Sequence, residues 1–172
     1  KMKAFHNRIL LIALSCIAWL SSNFVSAQTF SLTTYNTTSG LPGNQVNDLH
    51  QDRHGRLWVA TMNGADIFNG EKFTRFEKRD PEASNPVKTI FEDSKGNIWF
   101  TDPSYGISTP YEGSLAESEI GSRNVYRLTP DGELEAVITD LQQPNGLALS
   151  RDEQTLYVVD SGVQPAKLMA YA

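Results

Sequence analysis

The chain has 172 residues, and its 15 Lys and Arg against 20 Asp and Glu give a net charge of −5 at neutral pH. This acidic balance argues against binding to nucleic acid or anionic lipid, because both require clustered cations. A single cysteine, Cys16, excludes an intramolecular disulfide and a cysteine-based zinc site.

The first predicted element is a secretory signal peptide at residues 1–27. Basic residues precede an apolar run from Ile9 to Leu20, and small residues follow it, so we expect cleavage after Ala27. A transmembrane anchor is the alternative, but about twelve apolar residues are fewer than the roughly 20 needed to cross a bilayer. Cleavage predicts a secreted or periplasmic protein of net charge −8, without a thiol nucleophile and without membrane contact.

Beyond residue 28, short β-rich runs alternate with turn signals, which is the pattern of an all-β protein. The segments "HQDRHGRLWVAT" (50–61) and "FEDSKGNIWFTD" (91–102) share one motif, and their tryptophans lie 41 residues apart. A looser third copy, "LSRDEQTLYVVDSG" (149–162), has Tyr157 in place of the tryptophan. We predict that the aromatic residue of each copy lies in the core.

The turn in each copy is predicted from its Asp and its Gly. Asp52 and Asp93 can accept hydrogen bonds from amides two residues further on. The glycine three residues after each aspartate can adopt the positive φ that such a turn requires.

A repeat of 40 to 45 residues with several strands predicts β-propeller blades, each a four-stranded antiparallel sheet. Residues 28–172 hold about three and a half units of 41 residues, so we expect an incomplete propeller of about three to four blades. A β-sandwich with coincidental spacing is the alternative. Because propellers usually close with four to eight blades, we expect a fragment, a misassembled reading frame or one part of an oligomeric ring.

Two family resemblances meet in this chain. The segment "GLPGNQVNDLHQDRHGRLWVATMNGADIFNGEKFTRF" (40–76) resembles the two-component regulator propeller repeat, and the likeness continues through "NPVKTIFEDSKGNIWF" (85–100). We assign residues 28–100 to this repeat. The resemblance implies a non-catalytic, exported propeller that senses a ligand, often a glycan fragment, for a hybrid two-component system.

From Phe100 onward the chain instead resembles the senescence-marker-protein/gluconolactonase family of six-bladed propellers. The segments that carry the likeness are "FTDPSYGI" (100–107), "YEGSLAESEIGSRNVYRLTPDG" (111–132) and "QPNGLALSRDEQTLYVVDSG" (143–162). We assign residues 101–172 to this family. The resemblance implies a lactone or ester hydrolase with a divalent cation, commonly calcium, and a sugar lactone as the small-molecule partner.

The same resemblance assigns one metal ligand here, Asn145 of the Pro-Asn-Gly motif. The family's first-blade Glu has no match, and its Asp ligand would lie beyond Ala172. In the register of its substrate-contacting Asn this chain has Lys88. We therefore expect little or no turnover from the chain as it stands, with a sensor propeller as the alternative function.

Three residues, Asp102, Tyr105 and Glu112, are candidates for substrate binding, because a long insertion follows a strand end where propeller loops gather. Turn closure is the alternative for Asp102. No catalytic residue is assigned: Ser161 lies in no nucleophile elbow, and no histidine follows it in the sequence.

Overall fold

The computed structural model describes residues 31–76, 86–108 and 121–172, and residues 35–172 form one compact unit. Within the described ranges the chain forms a short 3-10 helix (Thr37–Ser39), eleven strands and one single-turn α-helix. The strands and the α-helix are β1 (Val46–Gln51), β2 (Leu57–Thr61), β3 (Gly64–Phe68), β4 (Phe73–Arg75), β5 (Ile90–Glu92), β6 (Ile98–Asp102), α1 (Tyr105–Ser108), β7 (Asn124–Leu128), β8 (Leu134–Ile138), β9 (Pro144–Leu149), β10 (Leu156–Asp160) and β11 (Lys167–Tyr171). None of the helices in the described ranges is long and apolar enough to span a membrane.

The strands form three antiparallel sheets that follow one another along the chain. Blade 1 is β1-β2-β3-β4, blade 2 is β5-β6-β7-β8, and blade 3 is β9-β10-β11. Each strand pairs with its neighbour in sequence, as in a propeller blade. The predicted all-β, incomplete propeller is confirmed, with three strands rather than four described in blade 3.

The first strand of each blade is the inner one. β1 contacts β5 across the first junction, and β9 contacts β6 across the second. The later strands of each blade fan outward from these junctions. Side chains at the ends of β1, β5 and β9 are therefore the ones that different blades can bring to a common site.

Two apolar cores fill the spaces between the blades. Blade 2 contributes to both, with Phe100 on the side of blade 1 and Trp99 on the side of blade 3. The first core contains Trp58, Ala60, Ala65, Val87, Ile90, Ile98, Phe100 and Tyr126, and the second contains Val125, Ile138, Leu141, Leu156 and Val158.

The predicted Asp–Gly turns connect the first two strands of blades 1 and 2. Asp52 Oδ1 accepts hydrogen bonds from the amides of His54 (2.9 Å) and Arg56 (3.0 Å), and Oδ2 accepts one from Trp58 Nε1 (2.9 Å). Asp93 repeats all three bonds, again with a tryptophan indole as the third donor. The glycines of the two turns have φ values of 78° and 90°, as predicted.

Blade 3 builds the corresponding turn from other residues. Ser150 Oγ accepts the amide of Thr155 (2.9 Å), and Glu153 takes the left-handed conformation with φ of 55°. Tyr157 is 37% exposed, which contradicts its prediction as a core residue. The reason is that no further sheet among the described residues covers this face of blade 3.

Polar contacts also join neighbouring blades near these turns. The Glu92 carboxylate of blade 2 accepts the backbone amide and the Nε of Arg53 of blade 1, at 2.8 and 2.6 Å. At the second junction, Glu153 accepts the amide and the hydroxyl of Ser94, at 2.8 and 2.5 Å. Both junctions thus use a glutamate to hold the preceding blade's turn.

Candidate functional site

The candidate site lies at the end of the inner strands opposite the Asp–Gly turns. Asn47, Lys88 and Asn145 occupy equivalent positions there. The first two lie eleven residues before the tryptophan of their blade, and Asn145 lies twelve residues before Tyr157 because the blade 3 turn is one residue longer. Both asparagines lie where strand pairing shifts register, a feature that redirects side chains and is frequent beside functional sites.

Contacts link the first two of these positions through Met62. Asn47 Nδ2 donates to the carbonyl of Val87 (2.8 Å) and lies 3.5 Å from Met62 Sδ. Lys88 Nζ lies 3.3 Å from the same sulfur and 5.4 Å from the ring centre of Tyr105. The Tyr105 ring therefore connects Lys88 to the next blade.

Ser161 completes the connection to Asn145. The Tyr105 hydroxyl lies 2.6 Å from Ser161 Oγ, and Asn145 Nδ2 donates to that oxygen at 3.3 Å. Because Ser161 holds the amide nitrogen, Asn145 Oδ1 is the side-chain atom that could accept a hydrogen bond from a ligand or bind a cation. No residue in the described ranges donates a hydrogen bond to Oδ1.

The segment that carries Tyr105 is fixed by Ser104. Ser104 Oγ accepts hydrogen bonds from Arg123 Nε (2.7 Å) and Gln143 Nε2 (2.8 Å), and the Ser104 amide donates to Gln143 Oε1 (2.9 Å). These bonds tie α1 to the start of blade 3. Tyr105 is thus held in place beside Ser161.

Two aspartates end the second strands of blades 2 and 3. Asp160 closes a turn, since its oxygens accept the amides of Gln143 (2.9 Å), Gly162 (3.0 Å) and Gln142 (3.1 Å). Burial acts to raise the pKa of Asp160, but these three donors more than offset it, so the pKa lies below its ordinary value. Asp102 is buried at the end of β6.

The structure thus brings two of the predicted site residues, Tyr105 and Asn145, together through a shared hydroxyl. A substrate contact by Asp102 stays a prediction. Glu112 lies outside the described residues. The predicted signal peptide, residues 1–27, also lies outside them.

The fit of this site to a divalent cation is limited. In residues 31–76, 86–108 and 121–172 there is no group of three His, Cys, Asp or Glu side chains that could hold a metal ion. Calcium takes six to eight oxygen ligands, whereas Asn145 offers one neutral oxygen and the Asp160 carboxylate is already used by backbone amides. The described residues therefore do not form a calcium cage by themselves.

The family follows from the sequence match over this site. The model of the SMP-30/Gluconolactonase/LRE-like region matches residues 71–172, more than half of the chain, and this range includes Tyr105 and Asn145. The chain belongs to the SMP-30/gluconolactonase family. The two-component regulator propeller model matches residues 40–63, so both predicted resemblances are confirmed. The predicted boundary between them, after residue 100, falls inside β6 and stays a prediction.

Three proteins show which members of the SMP-30/gluconolactonase family this chain is similar to. It is 32% identical over 123 residues to a gluconolactonase of Zymomonas mobilis, covering 69% of this chain and 34% of that one. It is 31% identical over 130 residues to lactonohydrolase oryL of Aspergillus oryzae, covering 66% of this chain and 29% of that one. A solved structure of a gluconolactonase from Xanthomonas campestris matches with a TM-score of 0.64 and 31% identity, over 74% of this chain and 44% of that chain. The chain spans about a third of the length of the curated relatives it matches.

Sequence inspection found Asn145 and Tyr105 but missed the residues that join them. The sequence shows Lys88 only as a departure from the family pattern, and it does not assign Met62 or Ser161 to the site. Counting back from the aromatic residue of each blade would have placed Asn47 and Lys88 at the position of Asn145.

Proposed function

We propose that the chain forms part of an exported, gluconolactonase-like lactone hydrolase in which Asn145 contacts the ligand or its cation. One observation carries this proposal: Asn145 lies on the inner strand β9, and Ser161 accepts a hydrogen bond from its amide nitrogen. The amide oxygen, Oδ1, is therefore the atom that we expect to contact a ligand or cation. Tyr105 and Ser161 lie beside it and can exchange hydrogen bonds with the hydroxyl groups of a sugar lactone. The names of the relatives support a lactone as the ligand.

The family resemblance implies a divalent cation, commonly calcium, which would polarise the lactone carbonyl. Because the described residues supply only one neutral ligand, we propose that the chain alone binds calcium weakly and hydrolyses lactones slowly. The test is hydrolysis of D-glucono-1,5-lactone by the 172-residue chain, followed by pH-stat with calcium and with EDTA. We expect rates close to the spontaneous rate in both, and robust calcium-dependent turnover would contradict the proposed weakness.

Lactone binding tests the site independently of turnover. Binding of D-glucono-1,4-lactone is measured by saturation-transfer NMR for the wild type, Asn145→Ala and a control, Asn44→Ala, which changes an exposed asparagine outside the Tyr105–Ser161–Asn145 contacts. We expect binding to be lost in Asn145→Ala and kept in Asn44→Ala. Equal binding by all three proteins would show that Asn145 does not contribute to lactone binding.

A ligand-sensing propeller without catalysis is the second candidate, favoured by the regulator-repeat match over β1 and β2. It predicts binding of neutral oligosaccharides that does not depend on Asn145. The same NMR experiment with a panel of neutral oligosaccharides separates the two functions. Oligosaccharide binding without lactone binding would favour the sensor.

Export is proposed from the sequence of residues 1–27 alone. A fusion of these residues to alkaline phosphatase, expressed in a Gram-negative host, tests it. Phosphatase activity is expected because that enzyme needs the oxidising periplasm to form its disulfides. A fusion that stays inactive and unprocessed would contradict export.

A further inference from the structure

A crevice lies between blades 1 and 2 at the end of the strands where the Asp–Gly turns lie, opposite the end that carries Asn145. Its volume is about 760 Å³, within the range of about 300–1,000 Å³ that is usual for small-molecule sites. One wall is the turn that follows β1, and the other includes the hairpin that joins β7 to β8. Both walls belong to four-stranded blades of the described ranges.

The interior of the crevice is apolar and partly aromatic. Trp58 and Ile98 line it and are buried, while Phe76 and Leu128 line it and are half-buried. Leu134, in the hairpin wall, is 43% exposed. An organic molecule that enters the crevice therefore removes apolar surface of the protein from water, which favours binding.

The exposed side chains around this interior are mostly basic. They are Arg53, His54, Arg56 and Lys95. The Glu92 carboxylate is the one acidic group among the described lining residues, and it is paired with Arg53 Nε at 2.6 Å. The Lys95 ammonium makes no ion pair with the part of the chain that the structure describes. The crevice thus carries a net positive charge in a protein whose overall charge is negative.

Arg56 is a guanidinium that is held in place with donors to spare. Its Nε lies 2.7 Å from Asp52 Oδ2, and its Cζ lies 5.8 Å from the ring centre of Trp58. The Asp52 carboxylate is shared with the indole of Trp58 and with two backbone amides. Within the described ranges the two terminal nitrogens of Arg56 make no hydrogen bond, so both are available to an acidic group of a ligand.

The equivalent crevice between blades 2 and 3 does not share this charge. The residues 41 positions after Arg53 and Arg56 are Ser94 and Asn97, which are uncharged. Three carboxylates and two cations line that crevice among the described residues: Asp93, Asp152, Glu153, Lys95 and Arg127. The blade architecture therefore does not require basic residues at this position, and the first crevice is set apart by its charge.

We propose that the crevice between blades 1 and 2 binds a small organic anion, namely a carboxylate or sulfonate group on an aromatic or aliphatic body. Arg56 and Lys95 pair with the acidic group by charge-assisted hydrogen bonds. The apolar body lies between Trp58 and Leu134. This binding site is separate from the lactone site and does not rest on the proposed function.

The test uses two dyes that differ by one acidic group. 8-Anilinonaphthalene-1-sulfonate carries a sulfonate, and N-phenyl-1-naphthylamine is the same aromatic body without it. Dissociation constants are measured by fluorescence titration of the full chain, of Arg56→Gln, of Lys95→Gln and of Leu134→Gln. Arg151→Gln is the matched control, because Arg151 is exposed in the turn of blade 3 and its loss changes the net charge equally.

We expect the wild type to bind the sulfonate dye roughly tenfold more tightly, as one charge-assisted hydrogen bond allows. Arg56→Gln should lose most of this preference and Lys95→Gln part of it, whereas Arg151→Gln should retain it. Leu134→Gln should weaken both dyes alike, because it removes apolar contact and no charge. Added salt should reduce the preference, since screening weakens the charge pair.

Equal affinity of the wild type for the two dyes overturns the proposal, and so does a preference that neither Arg56→Gln nor Lys95→Gln reduces. Circular dichroism establishes that each variant keeps its sheet content. If Arg56→Gln does not fold, Lys95→Gln decides the question, because the Lys95 ammonium supports no contact within the described residues. Asn145→Ala should bind both dyes as the wild type does, and a loss of sulfonate binding in that variant would place the dye at the lactone site instead.

Discussion

The two ends of the inner strands differ in how far the blades repeat one another. At the turn end, Asp52 and Asp93 make the same set of bonds to two amides and an indole. The opposite end carries the proposed ligand site and is called the ligand end below. There the equivalent positions hold Asn47, Lys88 and Asn145, each with different contacts. The turn contacts are thus repeated in blades 1 and 2, whereas the positions at the proposed ligand site differ in all three blades.

The largest expected effect follows from breaking the turn end. Asp52→Ala leaves the Trp58 indole and two amides without their acceptor, and it removes the partner of Arg56. We expect a loss of about 3 kcal/mol in the free energy of unfolding, measured by urea denaturation with tryptophan fluorescence. Asp131→Ala, in an exposed hairpin turn, is the control and should change it by less than about 0.5 kcal/mol. Similar losses in both variants would contradict the special role of the repeated turn.

A second prediction concerns close packing at the ligand end. A Cβ added at Gly162 would lie 2.5 Å from Gln142 Cβ and 2.9 Å from the Gln143 nitrogen. Gly162→Ala should therefore lower the free energy of unfolding by about 2 kcal/mol. Gly146→Ala is the matched control, because its added Cβ would meet Val159 Cγ2 at an ordinary 3.6 Å. If Gly162→Ala is no less stable than Gly146→Ala, the packing behind Ser161 is looser than described.

Two buried aspartates of blade 1 should respond to pH in opposite directions. Burial raises the pKa of Asp66, which attraction to Arg75 only partly offsets, and its buried Oδ1 accepts no hydrogen bond from the described residues. Burial also acts to raise the pKa of Asp52, but hydrogen bonds from Trp58 and Arg56 lower it below its ordinary value. Asp66 therefore favours folding when protonated, and this contribution is lost as pH rises through its folded pKa. Asp52 favours folding when ionised, and its contribution is lost as pH falls through its folded pKa.

The measurement is urea denaturation of Asp66→Asn and Asp52→Asn at pH 7 and at pH 3. Asp66→Asn should gain about 1 kcal/mol at pH 7, because a neutral amide replaces a poorly compensated charge. This gain should shrink at pH 3, where the native carboxyl group is protonated. Asp52→Asn should lose stability at pH 7 and approach the wild type at pH 3. The same sign for both variants at pH 7 would show that the two carboxylates have similar environments.

The smallest effect on stability is expected at the ligand end itself. Asn145 is half-buried and its side chain makes one long hydrogen bond to Ser161. Asn145→Ala should change the free energy of unfolding by less than about 0.5 kcal/mol while abolishing lactone binding. A large loss of stability would instead make Asn145 a structural residue and would weaken the contrast between the two ends.

The sequence was sufficient to predict the turn end because its contacts are local. Asp52 and Trp58 are six residues apart, and the same spacing recurs in blade 2, so one repeat predicts both the turn and the strand that follows. The exposed Tyr157 was mispredicted because burial depends on a neighbouring sheet and not on the blade's own pattern.

The ligand end was predicted only in part. Asn145 came from a family motif, but its link to Tyr105 runs through Ser161, which is 56 residues from Tyr105 in the sequence. The contact of Lys88 with Tyr105 likewise depends on how one blade docks on the next. No local pattern encodes such distances, so Lys88 appeared in the sequence only as a mismatch.

Blade 2 packs against blade 1 through Phe100 and against blade 3 through Trp99. It therefore holds the three described sheets together. No apolar core joins blade 1 directly to blade 3 among the described residues, so either can detach while the remaining pair stays together. The proposed ligand site takes side chains from all three blades, so the detachment of any one blade would disrupt it. Ligand recognition should therefore fail on mild heating or early proteolysis, well before the last sheet unravels.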